Sequence, residues 1–364
     1  MLKVKDVTLE NFMKSLCGKK IVLVGAGRKL NAFINRYNIE NNVLAIVDSN
    51  IDLQGKKVKV GRKEITISGV DFFETVPKDI TIVITVFFSV MSVLEMLDKL
   101  ETIDGIECYI VPLLEENFED ENVVYTIGSQ QIEKKIHYCW FGKGKIPEQL
   151  QRCMESWKRY MPDYEIIRWD ESNYDIKKNR YMQEAYDAQK YGFVPDYARL
   201  DILYNYGGIY LDTDVEVIKS FDDMLSDQAF MGFGDINGVA LGLGFGCVKN
   251  NELIKLMMDE YENKSFYDNE GKMNLTTCIE YQYPVLIKYG FKMDNTQQCI
   301  NGNMIYPVQL FNPESKIGIH KHYTKHTHSI HRGELSYESK STKDDYKKTL
   351  MYLPQRIFQD KIGT

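Results

Sequence analysis

What this chain has little of narrows the field first. Its 364 residues include only six histidines, nine prolines and seven cysteines. No two cysteines form a CxxC pair and no zinc-type spacing occurs. An odd, scattered set of this kind reads as the reduced core thiols of a cytoplasmic protein. There is no basic excess: 45 Lys and Arg stand against 52 Asp and Glu, a net charge of −7. That balance argues against a nucleic-acid partner. The longest apolar run, near Ile80 to Met91, is interrupted by Thr and Ser and falls short of the ~20 residues a spanning helix needs. The N-terminus carries no signal-peptide pattern. These absences predict a cytoplasmic protein with at most peripheral membrane contact, at the inner face.

What is present is ordinary for a globular chain with more than one domain: 44% hydrophobic and 27% charged residues. Val7, Leu9, Phe12, Met13 and Leu16 fall at helical spacing. Lys20 to Val24 reads as a strand entering the glycine turn GAG. Further strands are expected over Val43 to Val47, Ile80 to Val86 and Ile106 to Val111, with a helix from about Ser89 to Leu100. This rhythm predicts a small Rossmann-like α/β domain over residues 1–125. Gly25 and Gly27 match the first two glycines of GxGxxG, but Leu30 occupies the third position. Asp48 follows at the distance of a ribose-binding acid. A nucleotide site and a bare structural role are about equally compatible with that partial match.

The acidic stretch EENFEDEN, residues 115–122, and the segment 123–134 separate this domain from a second, expected over 126–340. The second opens on the strand Lys135-IHYCWFG-Gly142. A helix follows from Pro147, with Leu150, Met154, Trp157 and Met161 on one face. Then come a strand from Tyr164 to Trp169 and a helix over about Arg180 to Tyr191. At the centre lies VPDYARLDILYNYGGIYLDTDVEV, residues 194–217. A helix ends at Gly207-Gly208, a short strand runs from Ile209 to Leu211, and Asp212-Thr213-Asp214 follows. Side chains alternate along a strand, which would point Asp212 and Asp214 the same way, about 6–7 Å apart. At an effective dielectric near 20 their repulsion is roughly 2 kcal/mol, which a bound cation removes. Hard cations such as Mn²⁺ or Mg²⁺ take carboxylate and phosphate oxygens together. Read alone, those three residues would also suit a turn or an edge strand. Asp196 and Arg199, three apart, share a helix face.

Taken together, Asp196, Arg199, Tyr210, Asp212 and Asp214 make a longer pattern. PDYARLDILYNYGGIYLDTDV resembles the SDxxRxxxLYxxGGIYLDxDV block of the DXD-containing sugar-nucleotide glycosyltransferases. That group includes capsule and lipopolysaccharide sugar transferases, yeast-type initiating mannosyltransferases and glucosylating bacterial toxins. Pro195 stands where that block usually has Ser. KIHYCWFG resembles the family's opening IPKxIHxxWFG strand, and residues 305–313, IYPVQLFNP, resemble its IYPxxxFxP segment. Five histidines, 320, 322, 326, 328 and 331, lie near the C-terminus. The first four read as incidental residues of a surface loop. Thr327-HSIHRGELSY resembles the closing TxxIHHxxxSW segment, which aligns His331 and Ser336. Arg332 replaces the second His and Tyr337 the Trp. The first domain is similar to the small N-terminal domain of some bacterial sugar acyltransferases.

The resemblance implies a glycosyltransferase A catalytic domain with a Rossmann-like mixed sheet. It implies a retaining, metal-dependent transfer of a hexose from a nucleotide-diphosphate sugar, UDP favoured, to a saccharide or lipid-linked saccharide in surface polysaccharide biosynthesis. The alternative is a catalytically degenerate sugar-nucleotide-binding module. Asp196, Arg199, Asp212 and Asp214 would be catalytic. Trp140, Asp196, Arg199, Tyr210, Asp212 and Ser336 would bind the donor. Asp214 and His331, with help from Asp212, would hold Mn²⁺ or Mg²⁺. Glycines at 232, 234, 238, 242, 244 and 246 would permit close approach or mark turns. Helices are expected over about Asn251 to Glu262 and, interrupted before Pro284, over Thr276 to Ile287. Residues 341–364 are expected as a C-terminal helical tail, either resting on anionic lipid or packed on the body.

Overall fold

The computed structural model describes residues 1–116, 122–235, 238–314, 317, 319–333 and 340–362. The chain divides into two compact units. The first comprises Met1–Glu119, Ser315–Lys321 and Glu338–Thr364, and the second the remainder.

In the first unit, seven strands order as β1 (Lys3–Val4), β7 (Glu107–Ile110), β6 (Ile80–Ile84), β2 (Lys20–Val24), β3 (Val43–Val47), β5 (Lys63–Ser68) and β4 (Lys57–Val60). All pairs are parallel except the hairpin β4–β5. Both sheet faces are covered, so the central strands are continuous apolar runs. Val22 and Val24 enter one core with α3 (Val90–Leu97), while Ile21 and Leu23 enter another with α1 (Leu9–Ser15) and α2 (Arg28–Arg36). A short helix, α4 (Val111–Glu116), follows β7. The hairpin is polar and exposed along most of its length, which hid it from a reading of apolar runs. The Asp48 carboxylate accepts the N–H groups of Ala26 (2.6 Å) and Asn50 (2.8 Å). The expected C-terminal tail is part of this unit, since its Leu353 and Ile357 are buried in the α3 core.

The second unit has a mixed sheet in the order β15 (Gln298–Ile300), β16 (Asn303–Tyr306), β12 (Ala229–Asp235), β14 (Phe245–Cys247), β10 (Gly208–Tyr210), β8 (Lys135–Cys139) and β9 (Glu165–Trp169), with β13 (Gly238–Val239) on β12. β9, β8 and β10 run parallel, and β14 joins antiparallel. The helices are α5 (Glu148–Tyr160), α6 (Arg180–Asp187), α7 (Pro195–Tyr206), α8 (Glu252–Asp259) and α9 (Cys278–Lys288). Trp157 of α5 is fully buried and donates its indole N–H to the Val215 carbonyl at 2.7 Å. α9 starts on a capping box of Thr277 and Glu280 and continues through Pro284. The expected break does not occur, because one proline removes a single helical N–H and its neighbours Val285 and Leu286 are buried.

A separate two-stranded sheet pairs β11 (Val215–Val217) with β17 (Ser329–His331). Its antiparallel register sets Val215 opposite His331. All seven cysteines are free thiols; Cys17 and Cys299 are exposed rather than in the core. Among the described residues no helix is long and apolar enough to cross a membrane.

Candidate active site

The site grows from the end of α7. Pro195 occupies its first turn, where a missing N–H costs nothing because helical N–H groups there lack internal partners. That explains why Pro can stand at this position. One turn in, Asp196 and Arg199 share a face, and both are only 5% exposed. Arg199 Nη2 lies 2.9 Å from Asp196 Oδ1, and its Nε donates to the Pro195 carbonyl at 3.0 Å. The helix stops because Gly207 (φ 66°) and Gly208 (φ 92°) turn the backbone through the left-handed region. A side chain at Gly208 would also press on the Lys135 carbonyl of β8. β10 can therefore lie directly against β8, with Tyr210 opposite His137.

The DXD residues are not strand residues. They form a turn between β10 and β11, closed by Val215 N–H donating to the Asp212 carbonyl at 3.1 Å. The expected same-face alternation does not apply, and the two acids take different partners. Asp212 accepts from the Tyr210 hydroxyl at 3.1 Å and stands 3.6 Å from Arg199 Nη1. The guanidinium lies over the Tyr210 ring, 5.2 Å from its centre. One buried cation thus joins Asp196, Asp212 and a tyrosine face. Asp214 meets His331, whose Nε2 is 3.1 Å from Asp214 Oδ2.

Burial dominates the electrostatics. It pushes the Asp196 carboxyl up to about 6, despite the opposing pull of Arg199. Burial also pushes the Tyr210 hydroxyl well above its ordinary range. For Arg199, burial works against the charge, but Asp212, Tyr210 and Asp196 outweigh it and hold the guanidinium protonated.

Asp214 and His331 offer one oxygen and one nitrogen donor. This donor set suits Mn²⁺, while Mg²⁺ prefers oxygen alone. No group of three or more His, Cys, Asp or Glu side chains placed to hold a metal ion exists among the described residues. Asp212 is directed at Arg199 and Tyr210 instead. Trp140 stands outside the network: its indole N–H donates to the Gly144 carbonyl at 2.7 Å. Ser336 lies outside the described residues.

Several contributors escaped the sequence. Gly242 accepts the Asp212 N–H at 2.8 Å, and any side chain on it would run into the Asp212 carboxylate. The glycine-rich run hinted at close approach without naming this position. Cys278 hydrogen-bonds to Asp196 from α9. The hydroxyls of Tyr181 and Tyr261 are buried without hydrogen-bond partners among the described residues, and both feel the Asp196 charge. Arg332, where the resemblance has a second His, donates to Glu216 (2.7 Å) and Glu314 (3.0 Å). Its own N–H donates to the Asp214 carbonyl at 2.9 Å. Of the four histidines expected on the surface, His328 is fully buried instead. It stacks on Phe221, accepts from Tyr125 and donates to the Ser220 carbonyl. Burial pushes it down to about 4, so it is neutral.

The candidate site thus combines a buried Asp–Arg pair, an aspartate turn and a returning histidine. Residues 147–231 match the family model described as glycosyltransferase sugar-binding region containing DXD motif. Inositol phosphoceramide mannosyltransferase 3 of Schizosaccharomyces pombe is 36% identical over 112 residues, 30% of this chain and 31% of that one. Subversion of eukaryotic traffic protein A of Legionella pneumophila is 25% identical over 181 residues, 40% of this chain and 27% of that one. The chain thus spans about a third of the length of the curated relatives it matches. Among solved structures, PaToxG glycosyltransferase aligns with a TM-score of 0.36 and 19% identity, covering 44% of this chain and 69% of that one.

Proposed function

We propose that the protein moves a hexose from a nucleoside-diphosphate sugar, with a UDP donor favoured, to a hydroxyl of a saccharide or lipid-linked saccharide in surface polysaccharide assembly. The observation that carries this reading is the placement of Arg199. It is a buried cation held between Asp196 and Asp212 over a tyrosine ring, with the Asp214–His331 pair two residues further along the chain. A guanidinium is a fork of donors suited to sugar hydroxyls and phosphate oxygens. The unpartnered hydroxyls of Tyr181 and Tyr261 add to the case, because a buried unpaired polar group costs about 1–3 kcal/mol until something bonds to it.

In the reaction, the bond from the anomeric carbon to the leaving diphosphate oxygen breaks as the acceptor oxygen bonds to the same face. The acceptor proton passes to the departing phosphate, and the anomeric configuration is retained. Asp196 and Asp212 place negative charge beside the oxocarbenium-like sugar, while Arg199 and Tyr210 orient it. A Mn²⁺ or Mg²⁺ ion bound by Asp214 and His331 would supply charge neutralisation at the diphosphate. Names of the relatives extend the acceptor and donor classes to test, since several are mannosyltransferases acting on an inositol phosphoceramide.

The test is donor turnover. The protein is incubated with Mn²⁺ and a panel of UDP- and GDP-sugars, including mannose donors, beside an Asp214→Ala control. The expected result is release of nucleoside diphosphate from one donor, lost in the control and with chelator. Binding without release for every donor and acceptor tried would replace this reading with a catalytically degenerate sugar-nucleotide-binding module.

A further inference from the structure

The C-terminal helix α10 (Lys340–Ile362) has two faces with separate tasks. Its inward face is committed to the first unit. Asp345 accepts from the hydroxyls of Ser89 and Ser92, both at 3.0 Å. Lys348 pairs with Glu95. Thr349 donates to the Phe88 carbonyl at 3.1 Å, and Arg356 donates to the Leu2 carbonyl. Leu353 and Ile357 complete this stripe inside the core. These positions recur at helical spacing and account for the burial that holds the helix in place.

The opposite stripe runs through Lys340, Lys343, Lys347, Leu350, Met351, Pro354 and Phe358, again at steps of three and four. Its C-terminal half is apolar, where a solvated face would be polar. Met351 is 60% exposed, Phe358 64% and Leu350 37%. The lysines sit about one to three turns before the apolar group, and Asp344 is on that face. Lysine stems can lie along an apolar surface while the ammonium reaches outward.

We infer that this outward stripe docks on an anionic lipid surface, with Leu350, Met351 and Phe358 at the acyl boundary and Lys340, Lys343 and Lys347 among the head groups. The charge argument selects lipid over a generic apolar partner. The whole chain carries −7, so anionic vesicles repel it on average. Attraction must come from a local basic stripe, and this one shares a helix side with exposed apolar side chains, so both can meet one anionic surface together. The stripe belongs to the first unit and uses none of the sugar-site residues, so the inference stands or falls apart from the proposed transfer activity.

Sedimentation of the full chain with phosphatidylcholine vesicles, with and without phosphatidylglycerol, tests it. The protein should pellet with the anionic vesicles and stay in solution with the neutral ones. Added salt should release it, because screening shortens the reach of the lysines. The pair Met351→Ser with Phe358→Ser, and separately Lys343→Glu with Lys347→Glu, should each weaken binding by about tenfold or more. Thermal melting of both variants should match the parent, since all four side chains lie away from the core stripe. Equal binding to neutral and anionic vesicles, no binding to either, or unchanged binding by the variants would overturn the inference. So would a dimer in light scattering that the serine pair abolishes, which would make this face a contact between two copies of the chain.

Discussion

Two glycine corners in this chain look alike on paper and differ in what holds their acids. In the first unit, β2 turns at Gly25 and β3 ends at Asp48. In the second, α7 turns at Gly207 and β10 runs into Asp212. At the first corner the acid is tied up by main-chain N–H groups, those of Ala26 and Asn50. Its glycine is required by local packing, because a side chain there would strike Val86 and Thr85 at a backbone φ of 104°. At the second corner the acids face an arginine, a tyrosine and a histidine. Backbone N–H groups are fixed donors and make an acid part of the scaffold. Charged side chains can trade partners with a ligand, which makes the second corner the candidate for the proposed transfer.

The largest expected effect separates the two corners outright. Asp214→Ala should lower donor turnover by about a thousandfold or more, because charge at the leaving diphosphate goes uncompensated. Asp48→Ala should leave turnover at the parent level. It should instead cost about 0.5–1.5 kcal/mol in urea unfolding, since one part-buried and one exposed N–H lose their acceptor. Equal loss of turnover in both would erase the distinction.

Arg199→Lys keeps the charge and removes the fork. It should reduce kcat/KM by about a hundredfold while the protein stays folded, because Lys cannot serve Asp196 and Asp212 at once. The glycines sharpen the contrast next. Gly242→Ala should displace Asp212 and cost up to about a hundredfold in turnover, as sub-ångström positioning is lost. Gly25→Ala should show its effect in thermal melting, with turnover kept.

Acid pH probes the buried member of the pair. Turnover that needs ionised Asp196 should fall about tenfold per pH unit below about 6. The stability sign is the opposite. A carboxyl raised from 3.8 to about 6 on folding adds stability that is fully present below its unfolded value and is lost as pH rises through about 6. The size is about 3 kcal/mol at most. Asp196→Asn should flatten that pH slope in denaturant titrations. The smallest effect is expected at Arg332, which is partly exposed. Arg332→Ala should weaken Mn²⁺ binding, read by calorimetry without donor, by about tenfold at most. Exchanging the charges with Glu216→Arg and Arg332→Glu should restore part of it.

Much of the second corner was legible because its parts are close in sequence. Pro195, Asp196, Arg199, the Gly207-Gly208 stop and Asp212 fall within one helix, one turn and one short strand, where spacing alone assigns faces. The alternation argument failed at Asp212 and Asp214 for a local reason as well: the chain turns between β10 and β11, so the two acids diverge. His328 was misread because hydropathy treats histidine as polar. Its burial depends on Phe221, Tyr125 and the Ser220 carbonyl, which arrive from distant segments. Gly242 was one glycine among six in its neighbourhood, and only the turn between β13 and β14, packed beside Asp212, singles it out.

By itself, the sequence determined the α/β pattern of both units, because helix periodicity, glycine stops and strand runs are short-range properties, and its resemblance to the DXD block marked Asp196, Arg199, Asp212, Asp214 and His331. Tertiary structure alone decided which partners those side chains meet. His331 lies 117 residues beyond Asp214, and it reaches that carboxylate only because β17 pairs antiparallel with β11 and sets Val215 opposite it. That register rests on hydrogen bonds and buried contacts between remote segments, and such pairings leave no periodicity in the chain itself.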